Sequence, residues 1–397
     1  MSAENTAVSK RTAGKNRSGR FLSKDLFSGG KMDLTFLFLV LGILATGLVM
    51  LFSASAPYAS TYYGDSYHFI KRQAVFAVGG VIVMLAVSKL NYHKFKAFAW
   101  PLFVVSIIML VMVLFLPEVV PGFKRWLGIG SFSFQPSEVA KFAVILLFAA
   151  LISNKYSQMR SLKLDFTLLG FVALVCGLII LEHHLSATIL VLLIGIAMSY
   201  VGGMNKKLAV FIAVAGVIGA ILLVLLSIEF PEKFNYISDR MNIWLHLWDY
   251  DRDLTHQTRQ SLLAIGSGGL TGQGIGQSTQ KYLWVPEPQN DFIFSIVCEE
   301  LGLFGALLIV VAFALLCWRG LVIATRANDK FGSLLVFGIT FQIGLQTVLN
   351  LLVVTNSMPN TGISLPFFSY GGSSLLMLLA QMGVVLSVSR QANIEKG

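Results

Sequence analysis

Long runs without a charged residue constrain this chain more than any other feature. Examples are residues 34–52, 101–116, 208–226 and 301–318. A helix needs about 20 apolar residues to cross a hydrocarbon core of about 30 Å, and these runs reach or approach that length. Of the 397 residues, 55% are hydrophobic and only 13% are charged, whereas a soluble domain has about 25% charged residues. The sequence therefore predicts an all-α polytopic membrane protein.

Apolar segments along the whole chain predict ten transmembrane helices. Lysine and arginine cluster in alternate short loops, so the positive-inside rule predicts that both termini are cytoplasmic. One long extracytoplasmic loop, 229–290, then lies between spans seven and eight. Spans five and six are short and close together, so a re-entrant pair is the alternative there. The predicted spans are 34–53, 73–90, 97–116, 137–153, 166–181, 186–202, 208–228, 292–318, 333–354 and 373–389.

The charge pattern and the cysteines argue against several other classes of protein. The net charge is +10, but the basic residues lie in short loops, so we predict no nucleic-acid partner. Cys176, Cys298 and Cys317 lie inside apolar segments and show neither disulfide nor metal spacing. His183 and His184 also lack a ligand spacing to other His or Cys residues. The predicted domains are a disordered basic cytoplasmic tail at 1–32, a transmembrane domain at 33–390 and a cytoplasmic tail at 391–397.

Asp291 stands where the long polar loop turns into an apolar helix. One interpretation is an N-cap, because Asp satisfies free amides at a helix start. The other is a general base, because a carboxylate in a partly apolar pocket has a raised pKa and takes a proton from a hydroxyl. Glu287 is close in sequence and would share that work. The residues alone leave both interpretations open.

Positive charge in the predicted outer loops indicates an anion site. Arg125 beside Trp126 suits a phosphate-bearing headgroup at the interface. The alternative is that Trp126 is only an interfacial anchor and Arg125 pairs with a nearby carboxylate. Lys71 and Arg72 extend the same positive cluster. Glu138 and Lys141 are three residues apart on span four, so we expect them to pair, either facing a polar cavity or as a structural ion pair.

Three further segments carry polar or amphipathic features. Glu299 and Glu300 lie deep in span eight and need a partner, for which Lys141 is the candidate. The pattern of Trp244, Leu245, Leu247 and Trp248 predicts an amphipathic helix in the outer interface. The loop at 358–374 is rich in proline, glycine and hydroxyl groups. It is predicted to form a non-helical turn that lines a cavity.

Four sequence blocks, in this order, resemble the SEDS family of membrane proteins. The resemblance extends over about residues 33–390, and the turn Glu182-His183-His184-Leu185-Ser186 departs from the family's frequent Gln-Pro-Asp-Leu-Gly. The basic N-terminal tail and the block at 359–366 (PNTGISLP) favour the division and sporulation members over the elongation members. The four blocks are Arg125-Trp126-Leu127 with 133–138 (SFQPSE), Gln260-Ser261 with 264–270 (AIGSGGL), 291–294 (DFIF) with 299–302 (EELG), and 361–367 (TGISLPF) with 369–374 (SYGGSS).

The resemblance implies a peptidoglycan glycosyltransferase that polymerises lipid II at the outer face of the cytoplasmic membrane, with Asp291 as its essential acid. It also implies a class B penicillin-binding protein as partner, together with other division or elongation proteins. A divalent cation, Mg²⁺ or Mn²⁺, would assist the leaving group, although no ligand cluster in the sequence demands one. The alternatives are a lipid II flippase and a non-catalytic scaffold. The predicted substrate-binding residues are Arg72, Arg125, Glu138, Lys141, Arg240, Gln257, Glu287 and Ser369.

Overall fold

The computed structural model describes residues 30–117, 125–129, 132–154, 162–229, 235–249 and 252–392. Most of the predicted N-terminal tail and the end of the predicted C-terminal tail lie outside these ranges. The helices are α1 (Leu34–Tyr63), α2 (His68–Lys89), α3 (Ala99–Phe115), α4 (Pro136–Asn154), α5 (Leu162–Leu181), α6 (Leu185–Val201), α7 (Lys206–Glu229), α8 (Asn235–Leu245), α9 (Arg252–Ser267), α10 (Ile293–Thr325), α11 (Lys330–Val354) and α12 (Gly372–Gln391). A 3₁₀ helix (Tyr92–Phe98) precedes α3, and strands β1 (Leu127–Ile129) and β2 (Phe132–Phe134) form an antiparallel hairpin.

The predicted all-α membrane fold is confirmed at the level of its helices. In the described part of the chain, eight helices are long and apolar enough to cross a membrane. α6 is a shorter apolar helix of 17 residues, and α7 has 24 residues. All ten predicted spans coincide with helices, whereas the number of true crossings and the side of the termini stay predictions. α5 has 20 residues, which is long enough to cross the core.

α4 is the central helix of the bundle. In the most apolar stretch of α4, 78% of the residues are buried inside the protein, compared with 22% in that of α2. Small side chains at Ala140, Ala143 and Val144 leave room for neighbouring helices on every side. The peripheral helices instead expose apolar side chains, among them Val75 and Val78 of α2. Exposed aliphatic side chains on long helices suit contact with lipid.

α10 contains a break that the sequence did not predict. Gly302 has φ 66° and ψ −170°, a region of backbone space reached essentially by glycine alone. The break frees the carbonyl groups of Glu299 and Glu300 and the amides of Leu303 and Phe304. Backbone groups of the loop that follows α9 bond to all four, at 2.9–3.1 Å. We call residues 268–281 the docking loop, because it is fixed into this break.

The partner predicted for the two glutamates of α10 is wrong. Glu300 forms an ion pair with Lys281 of the docking loop at 2.8 Å, and the Ser53 hydroxyl donates to it at 2.7 Å. Glu299 accepts hydrogen bonds from the Ser278 hydroxyl and from the amide of Thr279. Lys141 is committed elsewhere, as described below. The break at Gly302 brings these acids against the loop, and a regular helix would not.

The long predicted loop at 229–290 is largely structured. It contains α8 and α9, followed by the docking loop and a turn that leads to α10. The predicted amphipathic helix is shorter than expected, because α8 ends at Leu245 and Trp248 lies beyond it. The Trp244 indole donates to the carbonyl oxygen of Asn356 at 2.9 Å, and Leu247 is buried. This segment therefore packs against the protein through part of its apolar face.

Candidate active site

A polar cavity of about 670 Å³ opens at one end of the bundle. Its walls come from α1, α2, α4 and α6, from the hairpin, and from the loops that precede α10 and α12. The non-helical loop predicted at 358–374 does line a cavity, through Gly362, Ser364 and Tyr370 among others. Of the predicted site residues, the cavity brings together Arg72, Arg125, Glu138, Lys141, Glu287 and Asp291.

Asp291 is not the cap of α10. The helix begins at Ile293, its N-cap residue is Phe292, and no side-chain cap bond forms there. The backbone of Asp291 is fixed instead, because the Asn350 amide donates to its carbonyl oxygen at 2.8 Å and to that of Ile363 at 2.6 Å. Within the described chain the carboxylate accepts no hydrogen bond, and it faces the cavity. The cap interpretation is therefore wrong.

The environment of Asp291 raises the pKa of its carboxyl above that of an ordinary aspartate. Burial raises the pKa of its carboxyl to about 6, and the negative charge of Glu287 adds to this rise. Arg240 and Arg125 act in the opposite direction. A carboxylate with a pKa near 6 is mostly ionised at neutral pH, yet it is a stronger base than an ordinary aspartate.

The turn between α5 and α6 fixes the side chain of Arg125. Its guanidinium donates to the carbonyl oxygens of Glu182 and His183, and His183 adopts a left-handed backbone with φ 54°. Trp126 lines the cavity beside it. Backbone acceptors thus set the orientation of Arg125 in the cavity wall. This supports the interpretation that Arg125 and Trp126 are more than an interfacial anchor.

The other cations of the site differ in how far they are neutralised. Lys141 pairs with Glu138 at 2.7 Å, which confirms the pairing expected from their spacing, and it also donates to the Gln346 side chain at 3.4 Å. Lys71 pairs with Asp65 at 2.8 Å and does not line the cavity. Arg72 does line it, and it makes no hydrogen bond or ion pair to described residues. Arg72 is therefore the least compensated cation that faces the cavity.

Three predicted substrate-binding residues lie around the cavity without lining it. The Ser369 hydroxyl donates to the Asn290 carbonyl oxygen at 2.9 Å and accepts from the Leu365 amide at 2.8 Å. Arg240 donates to the carbonyl oxygen of Asn360. The side-chain amide of Gln257 donates to the carbonyl oxygen of Pro286 at 3.3 Å. The hydroxyl of Ser369 is thus engaged within the protein. We therefore assign it to support of the chain beside Asp291 rather than to substrate contact.

Two residues of the α5–α6 turn belong to the site but were not selected from the sequence. Both carboxylate oxygens of Glu182 are buried and have no hydrogen-bond partner among the residues that the structure describes. Burial raises the pKa of this carboxyl to about 8, against the opposing effect of Arg125. His184 lines the cavity. The signal was present in the sequence, since this turn is where the chain departs from the pattern of the family that it resembles.

Comparisons with known proteins agree with this fold. A family model described as "Cell cycle protein", which covers FtsW, RodA and SpoVE, matches residues 33–394. Stage V sporulation protein E of Bacillus subtilis is 39% identical over 361 residues, which cover 90% of this chain and 97% of that protein. A probable peptidoglycan glycosyltransferase FtsW of Geobacter metallireducens is 32% identical, over 90% of this chain and 95% of that protein.

Solved structures show the same architecture. A chain of a peptidoglycan synthase complex, described as coordinating polymerization and crosslinking, matches with a TM-score of 0.74 and 27% identity. The match covers 92% of this chain and 99% of that one. The rod shape determining protein RodA of Thermus thermophilus matches with a TM-score of 0.68 and 26% identity, over 91% and 98% of the two chains.

Fold and site together define a helical multi-pass membrane protein with a charged cavity at one end of its bundle. The chain belongs to the SEDS family, the family of FtsW, RodA and SpoVE. The resemblance drawn from the four sequence blocks is thereby confirmed.

Proposed function

We propose that this protein is an inverting peptidoglycan glycosyltransferase that polymerises lipid II at the outer face of the bacterial cytoplasmic membrane, in cell division or sporulation. The names of its FtsW and SpoVE relatives support the activity and the setting. The positive-inside pattern supports the side of the membrane, because it puts the cavity end of the bundle outside. The undecaprenyl tails of the substrates would lie in lipid-facing grooves between helices.

The reaction joins two lipid-linked sugars. The C4 hydroxyl of the terminal GlcNAc of one lipid II attacks C1 of the MurNAc at the lipid-linked end of the growing chain. A new C1–O4 bond forms, the bond from C1 to the phosphate oxygen breaks, and undecaprenyl pyrophosphate leaves with that electron pair. Asp291 takes the proton of the attacking hydroxyl. One displacement at C1 inverts its configuration.

The observation that carries the proposal is the state of Asp291. Its carboxylate has no hydrogen bond to described residues, it faces the cavity, and burial raises its pKa to about 6. A structural carboxylate would be paired or would cap a helix. A free carboxylate whose backbone is fixed by Asn350 is instead ready to accept a proton from a bound hydroxyl.

The cations of the cavity suit the pyrophosphate of the donor. Arg72 is uncompensated, and Arg125 presents a planar guanidinium that matches phosphate oxygens. Lys141 contributes less than the sequence predicted, because Glu138 already neutralises it. A divalent cation fits the site only as a companion of the donor phosphates. Within the described residues, no three side chains of the ligating types converge, and Mg²⁺ commonly binds one or two carboxylates together with substrate phosphates.

A class B penicillin-binding protein is the partner that we propose. The peptidoglycan synthase complex whose chain shares this fold is described as coordinating polymerization with crosslinking. A polymerase that works beside a transpeptidase explains how a new strand is linked as it forms.

The two alternatives lose their support. A lipid II flippase drew on Glu299 and Glu300 as polar groups in the bundle, but both acids are satisfied by the docking loop. A non-catalytic scaffold would leave Asp291 as only a helix cap, but the N-cap residue of α10 is Phe292.

The proposal is tested by reconstitution. The purified protein, combined with its cognate class B penicillin-binding protein, is expected to convert lipid II into glycan polymer that a gel resolves. A transpeptidase-inactive partner serves as the control, because it keeps the complex intact and leaves polymerisation as the measured step. Transport of labelled lipid II across liposomes without any polymer would contradict the proposal and favour the flippase.

The pH dependence of polymerisation follows from the pKa of Asp291. The base must be ionised, so the rate is expected to rise with pH through about 6. Glu287→Gln removes a negative charge that raises the pKa of Asp291. The rise of the polymerisation rate with pH is therefore expected to occur at lower pH in this variant. The measurement is initial rate against pH from 4.5 to 8 for both proteins. Asp65→Asn removes an acid that pairs with Lys71 outside the cavity. It is expected to leave the pH at which the rate rises unchanged.

A further inference from the structure

His184 is a buried side chain that the proposed reaction does not use. It is only 8% exposed, and it lines the cavity beside Arg125 and Lys141. The Gln135 amide nitrogen lies 3.4 Å from its Nδ1. With the Gln135 amide nitrogen as the donor, the tautomer that fits this contact accepts at Nδ1 and carries its proton on Nε2. Nε2–H has no partner among the described residues.

The surroundings keep this imidazole neutral. Burial lowers the pKa of His184 to about 3, and the positive charges of Arg125 and Lys141 lower it further. His184 is therefore a neutral donor at neutral pH. It lines the cavity together with these two cations and, being neutral, offsets the charge of neither.

A donor that lines a cavity and has no protein partner is available to an acceptor on a bound ligand. The acceptor that suits this place is an anionic oxygen, because the positively charged Arg125 lines the same cavity, whereas Glu138 already offsets the charge of Lys141. Both substrates of the proposed reaction carry a pyrophosphate. Only that of the donor is bonded to the reacting C1 and so lies in the cavity with Asp291, because two sugars separate the pyrophosphate of the acceptor from its reacting C4 hydroxyl. The sugar hydroxyls carry no charge for Arg125 to hold.

We propose that Nε2–H of His184 donates a hydrogen bond to a pyrophosphate oxygen of the lipid-linked donor, and that His184 thereby positions the leaving group. This inference rests on the proposed function. It adds a substrate contact in the α5–α6 turn, on the same wall as Arg125. The contact forms with bound donor and with the leaving pyrophosphate alike, so it is measurable without turnover.

A matched pair of amides tests the contact. His184→Gln puts an amide nitrogen near the place of Nε2 and keeps a donor in the cavity. In His184→Asn the shorter side chain puts its amide near the place of Nδ1, beside Gln135, so that its nitrogen does not reach the place of Nε2. Undecaprenyl pyrophosphate and undecaprenol are the probes, and their affinities for each protein in nanodiscs are measured. His184→Phe serves as a second donor-free variant, and thermal unfolding checks that each variant is folded.

Wild type and His184→Gln are expected to bind undecaprenyl pyrophosphate roughly tenfold more tightly than His184→Asn or His184→Phe, as loss of one hydrogen bond to a charged group predicts. All four proteins are expected to bind undecaprenol equally. Wild-type affinity for the pyrophosphate in the folded donor-free variants would overturn the role of His184 alone. A wild-type protein that does not distinguish the pyrophosphate from the alcohol would also remove the donor site of the proposed function.

Discussion

Asp291→Asn is expected to abolish glycan polymerisation and to leave the protein folded. The amide has the shape of the carboxylate but cannot accept the proton of the attacking hydroxyl, and loss of a general base costs about 10²–10⁴ in rate. The carboxylate bonds to no described donor, so its replacement leaves none unpaired. The substitution also removes a buried charge. The measurement is polymer from lipid II in the reconstituted complex, with thermal unfolding of the same preparations.

Asp65→Asn is the matched control for this result. It is the same chemical change at an exposed acid that pairs with Lys71 outside the cavity. Its rate is expected to equal that of the wild type. Polymer from Asp291→Asn at the wild-type rate would remove Asp291 as the base and direct attention to Glu287, the nearest other carboxylate.

The helices and much of the site were predictable because their signals are local. Hydrophobic length alone predicts the helices, and the pair of Glu138 and Lys141 follows from a spacing of three on one helix face. The meeting of Arg72, Arg125 and Asp291 at one cavity followed from a topology that puts all three at the same end of the bundle. Hydropathy and charge asymmetry suffice for such a topology.

The missed features depend on contacts between distant segments. The partner of Glu300 is Lys281 rather than Lys141, and nothing local distinguishes these two lysines. A free Asp291 and a capping Asp291 have the same sequence, because the difference is whether the helix begins at residue 292 or 293. A shift of one residue lies within the ordinary uncertainty of helix ends. The hairpin at 127–134 was missed because its strands have three residues each.

Gly302→Ala is expected to cause a large loss of stability. A Cβ there would lie 2.2 Å from the Gly272 amide nitrogen and 2.6 Å from the Leu270 carbonyl oxygen. Both contacts are to backbone atoms, so no side chain can move aside. The backbone angles of Gly302 also exclude other residues, at a cost of about 1–3 kcal/mol by themselves. The alanine is therefore expected to expel the docking loop.

Expulsion of the docking loop would have consequences beyond Gly302. The backbone bonds at the break of α10 would be lost, and Glu300 would lose its pair with Lys281, leaving a buried acid uncompensated. Breaking such a pair costs about 3–5 kcal/mol. The thermal midpoint is expected to fall sharply, and the peptide bonds of 268–281 should become open to limited proteolysis.

Gly42→Ala is the control for this substitution. Gly42 lies on α1, and no atom stands within 4 Å of the position of its Cβ. Alanine favours a helix by about 1 kcal/mol over glycine, so its thermal midpoint is expected to hold or rise. If Gly302→Ala behaved like Gly42→Ala, α10 would be able to run straight through residue 302. The docking loop would then not depend on the break, and Glu299 and Glu300 would have to be satisfied by other groups in the bundle.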